Sequence, residues 1–118
     1  MISVRGLSKA YAGHQALHDV NFHVTAGEMC VVLGPSGAGK TTLLRCINRL
    51  VVPDEGDILI DRKAAPKTRT ALRELRQSAA MIFQDHHLVP RLSALKNVLT
   101  GRLASMPLSV TAAIVPPA

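Results

Sequence analysis

Eight consecutive residues, Gly34-Pro35-Ser36-Gly37-Ala38-Gly39-Lys40-Thr41, combine the groups needed to grip a phosphate chain. Phosphate binding requires several backbone N–H groups aimed inward, a compact cation, and a hydroxyl for a divalent metal. Gly34, Gly37 and Gly39 let the main chain curl closely around the phosphates, some at dihedrals that a side chain would forbid. Lys40 supplies charge to the β- and γ-phosphates, Thr41 offers its hydroxyl to Mg²⁺, and Thr42 adds a hydroxyl or amide for the α-phosphate. A helix starting here contributes the partial positive charge of its N-terminus. The spacing is the Walker A pattern, and it predicts ATP with Mg²⁺ as the ligand.

This chemistry needs a strand, a loop and a helix in that order, and the flanks provide such a reading. Met29-Cys30-Val31-Val32-Leu33 is apolar on both faces, which predicts a fully buried central strand that empties into the glycine loop. Leu43, Leu44, Ile47 and Leu50 recur at helical spacing, predicting a helix from Thr41 to Leu50. Upstream, Ile2–Leu7 alternates as a half-buried strand, Ala12-Gly13-His14 reads as a turn, and Val20, Phe22 and Val24 share one face of a second strand. Downstream, Asp57–Ile60 and Ala80–Phe83 are strand-like, and Thr68–Gln77 reads as an exposed helix with Arg69, Arg73 and Arg76 along one side. Ser93 fits the N-cap of a last helix running through Val98 and Leu99.

The composition sets the limits of this reading. With 118 residues, 47% of them hydrophobic and 19% charged, the chain suits one small globular domain. Aromatics make up 3%, so the core must be aliphatic. The net charge of +6 admits nucleic acid, a membrane surface or a phosphate-bearing ligand. Arg62, Lys63, Lys67, Arg69, Arg73 and Arg76 lack interleaved aromatics for stacking bases, so a solvated helix face is expected and no nucleic-acid partner. Cys30 and Cys46 sit in apolar surroundings and are expected to be buried, reduced side chains. The five histidines show no metal-ligand spacing. No apolar run reaches the length of a signal peptide core or a membrane span, so a cytoplasmic protein is expected, reaching a membrane only through a partner.

The loop alone admits GTPases, kinases, helicases and transport ATPases, and its flanks discriminate among them. Tyr11, then Gln15-Ala16-Leu17-His18-Asp19-Val20-Asn21-Phe22 and Ala26-Gly27-Glu28, resemble the opening of an ABC transporter nucleotide-binding domain. Pro53-Asp54-Glu55-Gly56-Asp57-Ile58 and Met81-Ile82-Phe83-Gln84 carry the same resemblance, collinear from Ile2 to about Leu103. It implies an α/β fold of the P-loop NTPase type with an N-terminal antiparallel β portion. It implies that Tyr11 stacks on adenine, and that Gln84 contacts Mg²⁺ and the attacking water while sensing a transmembrane partner. Lys40 and Gln84 would be the residues nearest the chemistry. Gly34, Pro35, Ser36, Gly37, Ala38, Gly39, Lys40, Thr41 and Thr42 would line the nucleotide, with Thr41 and Gln84 on the metal. Leu88 to Leu103, with His14–His18, are most similar to ATPase subunits of phosphonate importers, although Lys96 stands where related sequences often carry Glu. Permease subunits, a second ATPase subunit and, indirectly, a substrate-binding protein are the implied partners, at the inner face of the cell membrane.

Hydrolysis demands a carboxylate for the metal and a group that orients water, which the family supplies as four apolar residues followed by Asp-Glu. Asp61 comes nearest, after Ile58-Leu59-Ile60, but it precedes Arg62 and Gln84 and fits a turn after a peripheral strand. The LSGGQ signature and the switch histidine are also missing from the sequence. No charged residue follows Arg102, and periodicity is lost after Leu103. The expectation is a truncated chain, with residues 1–108 the N-terminal part of the ATP-binding domain and 109–118 a non-native or disordered tail. Alternative readings are a nucleotide-binding module that never hydrolyses ATP, the ATPase of a phosphate or polar amino acid importer, and a small-molecule kinase.

Overall fold

The computed structural model describes residues 1–64, 66, 68–84 and 88–102. Along the chain run β1 (Ile2–Tyr11), β2 (His14–Val24), α1 (Lys40–Ile47), β3 (Glu55–Ile60), β4 (Lys63–Ala64), α2 (Arg69–Ser78) and α3 (Ala94–Thr100). The chain divides into two units, Met1–Leu72 and Arg73–Ala118, and each is described by itself. The expected boundary between residues 108 and 109 lies outside the described residues.

The first unit is built on a four-stranded antiparallel sheet in the order β2-β1-β3-β4. Two-residue turns close both hairpins. Ala12 and Gly13 (φ 44° and 85°), and Asp61 and Arg62 (φ 48° and 64°), all take positive φ. That is the type I′ form, whose twist suits paired strands. The turn at Ala12-Gly13 is where the sequence places it; both strands simply run further toward it than expected. β4 has no counterpart in the sequence reading.

Strict alternation along β1 would turn Val4 inward and Leu7 outward, yet both are buried, at 2% and 0% exposure. The pairing shows why. Val4 faces Phe22 and Leu7 faces Val20, so β1 spends one residue more than β2 over this stretch. The same excess recurs against β3, where Arg5 faces Asp57 and Ser8 faces Glu55. Gly6, at φ 59°, is the bulge that inverts the parity. β2 answers with an extra residue near Asp19 (φ 44°), which buries Leu17 out of phase with Val20 and Phe22. Side chains hold both irregularities. Asn21 Oδ1 accepts from Gly6 N at 2.7 Å, Asn21 Nδ2 donates to the Asp19 carbonyl at 2.7 Å, and Ser8 Oγ accepts from Asp19 N at 3.1 Å.

The core forms where α1 covers this sheet. Leu43 and Cys46, three apart and therefore on one helix face, join Val4, Leu7, Leu17 and Ile58. Cys46 is buried as its apolar setting implies, and burial pushes its thiol pKa above the ordinary value. Past α1 the chain stays hydrogen-bonded: Arg49 N donates to the Cys46 carbonyl, and Leu50 N and Val51 N donate to that of Arg45.

Two expected strands are not formed. Met29–Leu33 has no strand geometry, and Met29, Val31, Val32 and Leu33 are exposed, as is Cys30. Ala80–Phe83 is likewise irregular, with Ile82 exposed. The physical reason is common to both: a strand exists only through ladder bonds to a neighbour, and the sheet of the described residues, β2-β1-β3-β4, includes neither segment. The apolar pattern records a preference for burial that the described residues do not satisfy.

In the second unit, Ser93 caps α3 as its type predicts, accepting from Lys96 N. Asn97 then organises the preceding loop: its Nδ2 donates to the carbonyls of Val89, Leu92 and Ser93, and its Oδ1 accepts from Val89 N at 2.8 Å. The arginine-bearing α2 is exposed on the expected side, with Leu75 its buried residue.

Candidate functional site: the phosphate loop

The loop from Gly34 to Gly39 ends directly on α1, whose first residue is Lys40. Gly39 occupies the N-cap in left-handed geometry (φ 83°, ψ 0°) and brings no capping side chain. The first main-chain bond of the helix runs from Leu43 N to the Gly39 carbonyl at 2.8 Å. The amides of Lys40, Thr41 and Thr42 therefore lie ahead of the helical ladder, where N–H groups have no intrahelical partner. No acidic residue stands in the first turn to claim the positive end of the helix dipole.

Lys40 is half-buried and turns back over its own loop. Its Nζ donates to the carbonyls of Gly34 and Pro35, both at 2.7 Å. The ammonium is thus set between the start of the loop and the start of the helix. A second bond, from Ala38 N to the Pro35 carbonyl, closes a turn inside the loop. Cation, helix N-terminus and glycine backbone are thereby gathered in one place, the combination of groups that a multiply charged anion requires. Ser36 and Thr41 are exposed and Thr42 is half-buried on the first turn.

The loop is seated against the hairpin at one point. A Cβ on Gly39 would overlap the carbonyl oxygen of Ala16 and lie 3.1 Å from Leu17 Cδ2. Tyr11 belongs to the same hairpin, as the last residue of β1 paired with His14 at the start of β2. Tyr11 is 44% exposed, and Lys9 Nζ lies 5.4 Å from its ring centroid.

Asp54 is the polar residue that the sequence reading missed. Its Oδ1 accepts from Lys9 Nζ at 2.6 Å and its Oδ2 from Ala10 N at 2.8 Å, while Asp54 N donates to the Ser8 carbonyl at 3.0 Å. The signal was available in Pro53-Asp54-Glu55-Gly56, which carried a resemblance but no role. The Lys9 hydrogen bond holds the Asp54 carboxyl below its ordinary pKa of 3.8, and the Asp54 partner raises Lys9 above 10.5. A depressed carboxylate stabilises the fold in full above its unfolded pKa, and that contribution disappears as pH falls through the lower folded value. A raised lysine acts in the opposite sense, losing its contribution only as pH climbs past its folded value. Asp54→Asn should therefore lower the thermal midpoint by a constant amount between about pH 5 and pH 9, the gap closing below about pH 4. Melting curves across that range check this, and a gap that persists unchanged to pH 2 would exclude the charge as its source.

Gln84 lies in the second unit and is exposed. It does not follow a buried strand, for the reason given above. Its neighbours Asp85, His86 and His87 lie outside the described residues. Asp61 sits in the exposed turn after β3, where its carboxylate takes the amino terminus of Met1 at 2.9 Å. Its lowered pKa has that hydrogen bond as the main cause. It is a turn residue, as the sequence implies. His14, His18 and His23 are exposed. Among the described residues no group of three or more His, Cys, Asp or Glu side chains is placed to hold a metal, and no helix is long and apolar enough to cross a membrane.

Comparison with known proteins follows the same lines. The family model described as "ABC transporter" matches residues 17–114. The phosphonates import ATP-binding protein PhnC of Treponema denticola is 44% identical over 109 residues, covering 91% of this chain and 43% of the relative. PhnC of Lactobacillus gasseri is 50% identical over 109 residues, covering 91% of this chain and 42% of its own. The chain thus spans about two fifths of the length of these relatives. Among solved structures, the ATP-binding cassette MJ0796, in a dimeric post-hydrolysis state bound to ADP and Pi, superposes with a TM-score of 0.80 at 30% identity. The match covers 90% of this chain and 48% of that one. CbiO1 of Clostridium perfringens, part of the transporter complex cbiONQ, gives a TM-score of 0.74 at 30% identity, over 93% of this chain and 45% of its own.

Proposed function

Because the chain belongs to the ABC transporter family, we propose that it is the nucleotide-binding N-terminal part of an importer ATPase subunit, with phosphonate as the cargo. The observation that carries this reading is the Lys40 ammonium, held over the Gly34 and Pro35 carbonyls beside the uncapped N-terminus of α1. Gly34 through Thr42 line the triphosphate, and Tyr11 stacks on the adenine. Mg²⁺, when bound, neutralises phosphate charge. A hard cation of this kind commonly keeps one or two protein oxygens and takes the rest from phosphate and water. The donor that the first unit offers, the Thr41 hydroxyl, suits that mode better than an all-protein cage. The named cargo of the PhnC relatives supports phosphonate. Their designation as import proteins supports a permease partner at the inner membrane face, and the dimeric MJ0796 supports a second ATPase subunit.

The 118-residue chain by itself is proposed to hold nucleotide without turning it over, since its sequence carries no apolar run ending in Asp-Glu. Calorimetric titration with Mg-ATP tests the reading. Lys40→Met keeps the aliphatic stem and removes the charge, and should weaken binding by about tenfold to a hundredfold, the worth of a charged hydrogen-bonding partner. Equal affinity of wild type and Lys40→Met would overturn the assignment, and sustained phosphate release by the wild type would refute the lack of turnover.

A further inference from the structure

We propose that Lys9 and Asp54 are a positioning pair that fixes the Tyr11 ring, so that preference for a purine nucleotide over bare polyphosphate depends on them. This rests on the reading of Tyr11 as the base-stacking residue. A tyrosine at the end of a hairpin is poorly placed for such a task by itself. It directly precedes the Ala12-Gly13 turn, the residue is nearly half exposed, and a strand end is where fraying begins. Three contacts from one residue remove that freedom. Asp54 binds the carbonyl of Ser8 through its N–H, the ammonium of Lys9 through Oδ1, and the amide of Ala10 through Oδ2. Residues 8, 9 and 10 of β1 are all tied immediately before Tyr11.

The same carboxylate aims the lysine. The Lys9 side chain is 16% exposed, and its Nζ lies 5.4 Å from the Tyr11 centroid, within cation–π range. A cation over one ring face draws π density toward itself. The opposite face is left for an electron-rich purine, giving a lysine–tyrosine–base stack. Asp54 also lies three residues after Val51, whose N–H still bonds back to Arg45 of α1, the helix that opens with Lys40. Tyr11, Asp54 and Lys40 all belong to the first unit.

The chain contains one tyrosine and no tryptophan, so its tyrosine emission reports on Tyr11 alone. The full chain and its variants are titrated with Mg-ATP and with Mg-tripolyphosphate, following heat and tyrosine emission. Lys9→Met should weaken ATP binding by about fivefold while leaving tripolyphosphate within about twofold, with a smaller ATP-induced emission change. Asp54→Asn should act in the same direction, and Lys9→Arg, whose guanidinium stacks on aromatics and reaches a carboxylate, should restore ATP affinity. If Lys9→Met weakens both ligands equally, or neither, while Tyr11→Ala weakens ATP alone, the pair is a strand staple and the proposal fails with the stacking reading intact. If Tyr11→Ala leaves ATP affinity unchanged, the stacking reading falls and the pair has nothing to position.

Discussion

Gly39→Ala should cost the first unit about 3–5 kcal/mol and remove nucleotide binding with it. Two penalties coincide at this residue. Its φ of 83° lies in the left-handed region, which costs a residue with a Cβ about 1–2 kcal/mol. The added methyl would also drive into the Ala16 carbonyl, a backbone atom held between the paired residues Gln15 and Leu17 of β2, with no rotamer by which to step aside. Relief requires either the loop to leave β2 or β2 to leave its ladder with β1. Gly37 is the control, since it has nearly the same φ (84°) but open space where a methyl would go, with nothing within 4 Å. Gly37→Ala should cost only the dihedral share, about 1–2 kcal/mol. Urea unfolding followed by far-UV circular dichroism separates the two. Equal losses would mean that the contact with Ala16 does not constrain the loop.

The second large effect is expected at Leu7. Leu7→Ala should destabilise the fold by about 2–5 kcal/mol. The side chain is fully buried, and it packs in the cluster with Leu17, Leu43, Cys46 and Ile58 beneath the helix that carries Lys40. Truncation leaves a cavity among neighbours pinned by the sheet and by α1, so collapse is limited. Were β1 an uninterrupted two-residue alternation, Leu7 would face solvent opposite Val4 and its truncation would cost less than about 0.5 kcal/mol. The measurement therefore tests the Gly6 bulge as well as the packing. A loss below about 1 kcal/mol would place Leu7 outside the core. Val4→Ala, on the same face by the bulged register, should behave similarly but with a smaller loss, having fewer methyl groups to remove.

Both effects lie at positions where local pattern and long-range contact meet. The glycine loop ahead of α1 was legible because its pattern is local. Glycines, lysine and threonine at fixed spacing act through the backbone that immediately joins them, and the helix starts where the pattern demands. Ser93 as a cap, the turn at Ala12-Gly13 and the inward face of Val20, Phe22 and Val24 were legible for the same reason. Each depends on residues within a few positions of one another.

Other features depended on partners far along the chain. Asp54 meets Lys9 and Ala10 across more than forty residues, and Gly39 meets Ala16 across more than twenty, so neither contact leaves a periodic trace. The Gly6 bulge reverses the very alternation from which burial is read, because a single extra residue changes the parity of every side chain beyond it. Met29–Leu33 and Ala80–Phe83 mark the opposite case. Their composition asks for a buried strand, but a strand is a property of a pair, and the sheet of the described residues includes neither segment. The sequence by itself thus determined where the glycine loop gives way to a helix and the family to which the chain belongs, both written in short-range spacing. Tertiary structure alone decided which glycine lies against the Ala16 carbonyl, which carboxylate binds Ser8, Lys9 and Ala10, and which leucine is buried. Those outcomes follow from atoms brought together by the sheet, and no local rule of sequence encodes that proximity.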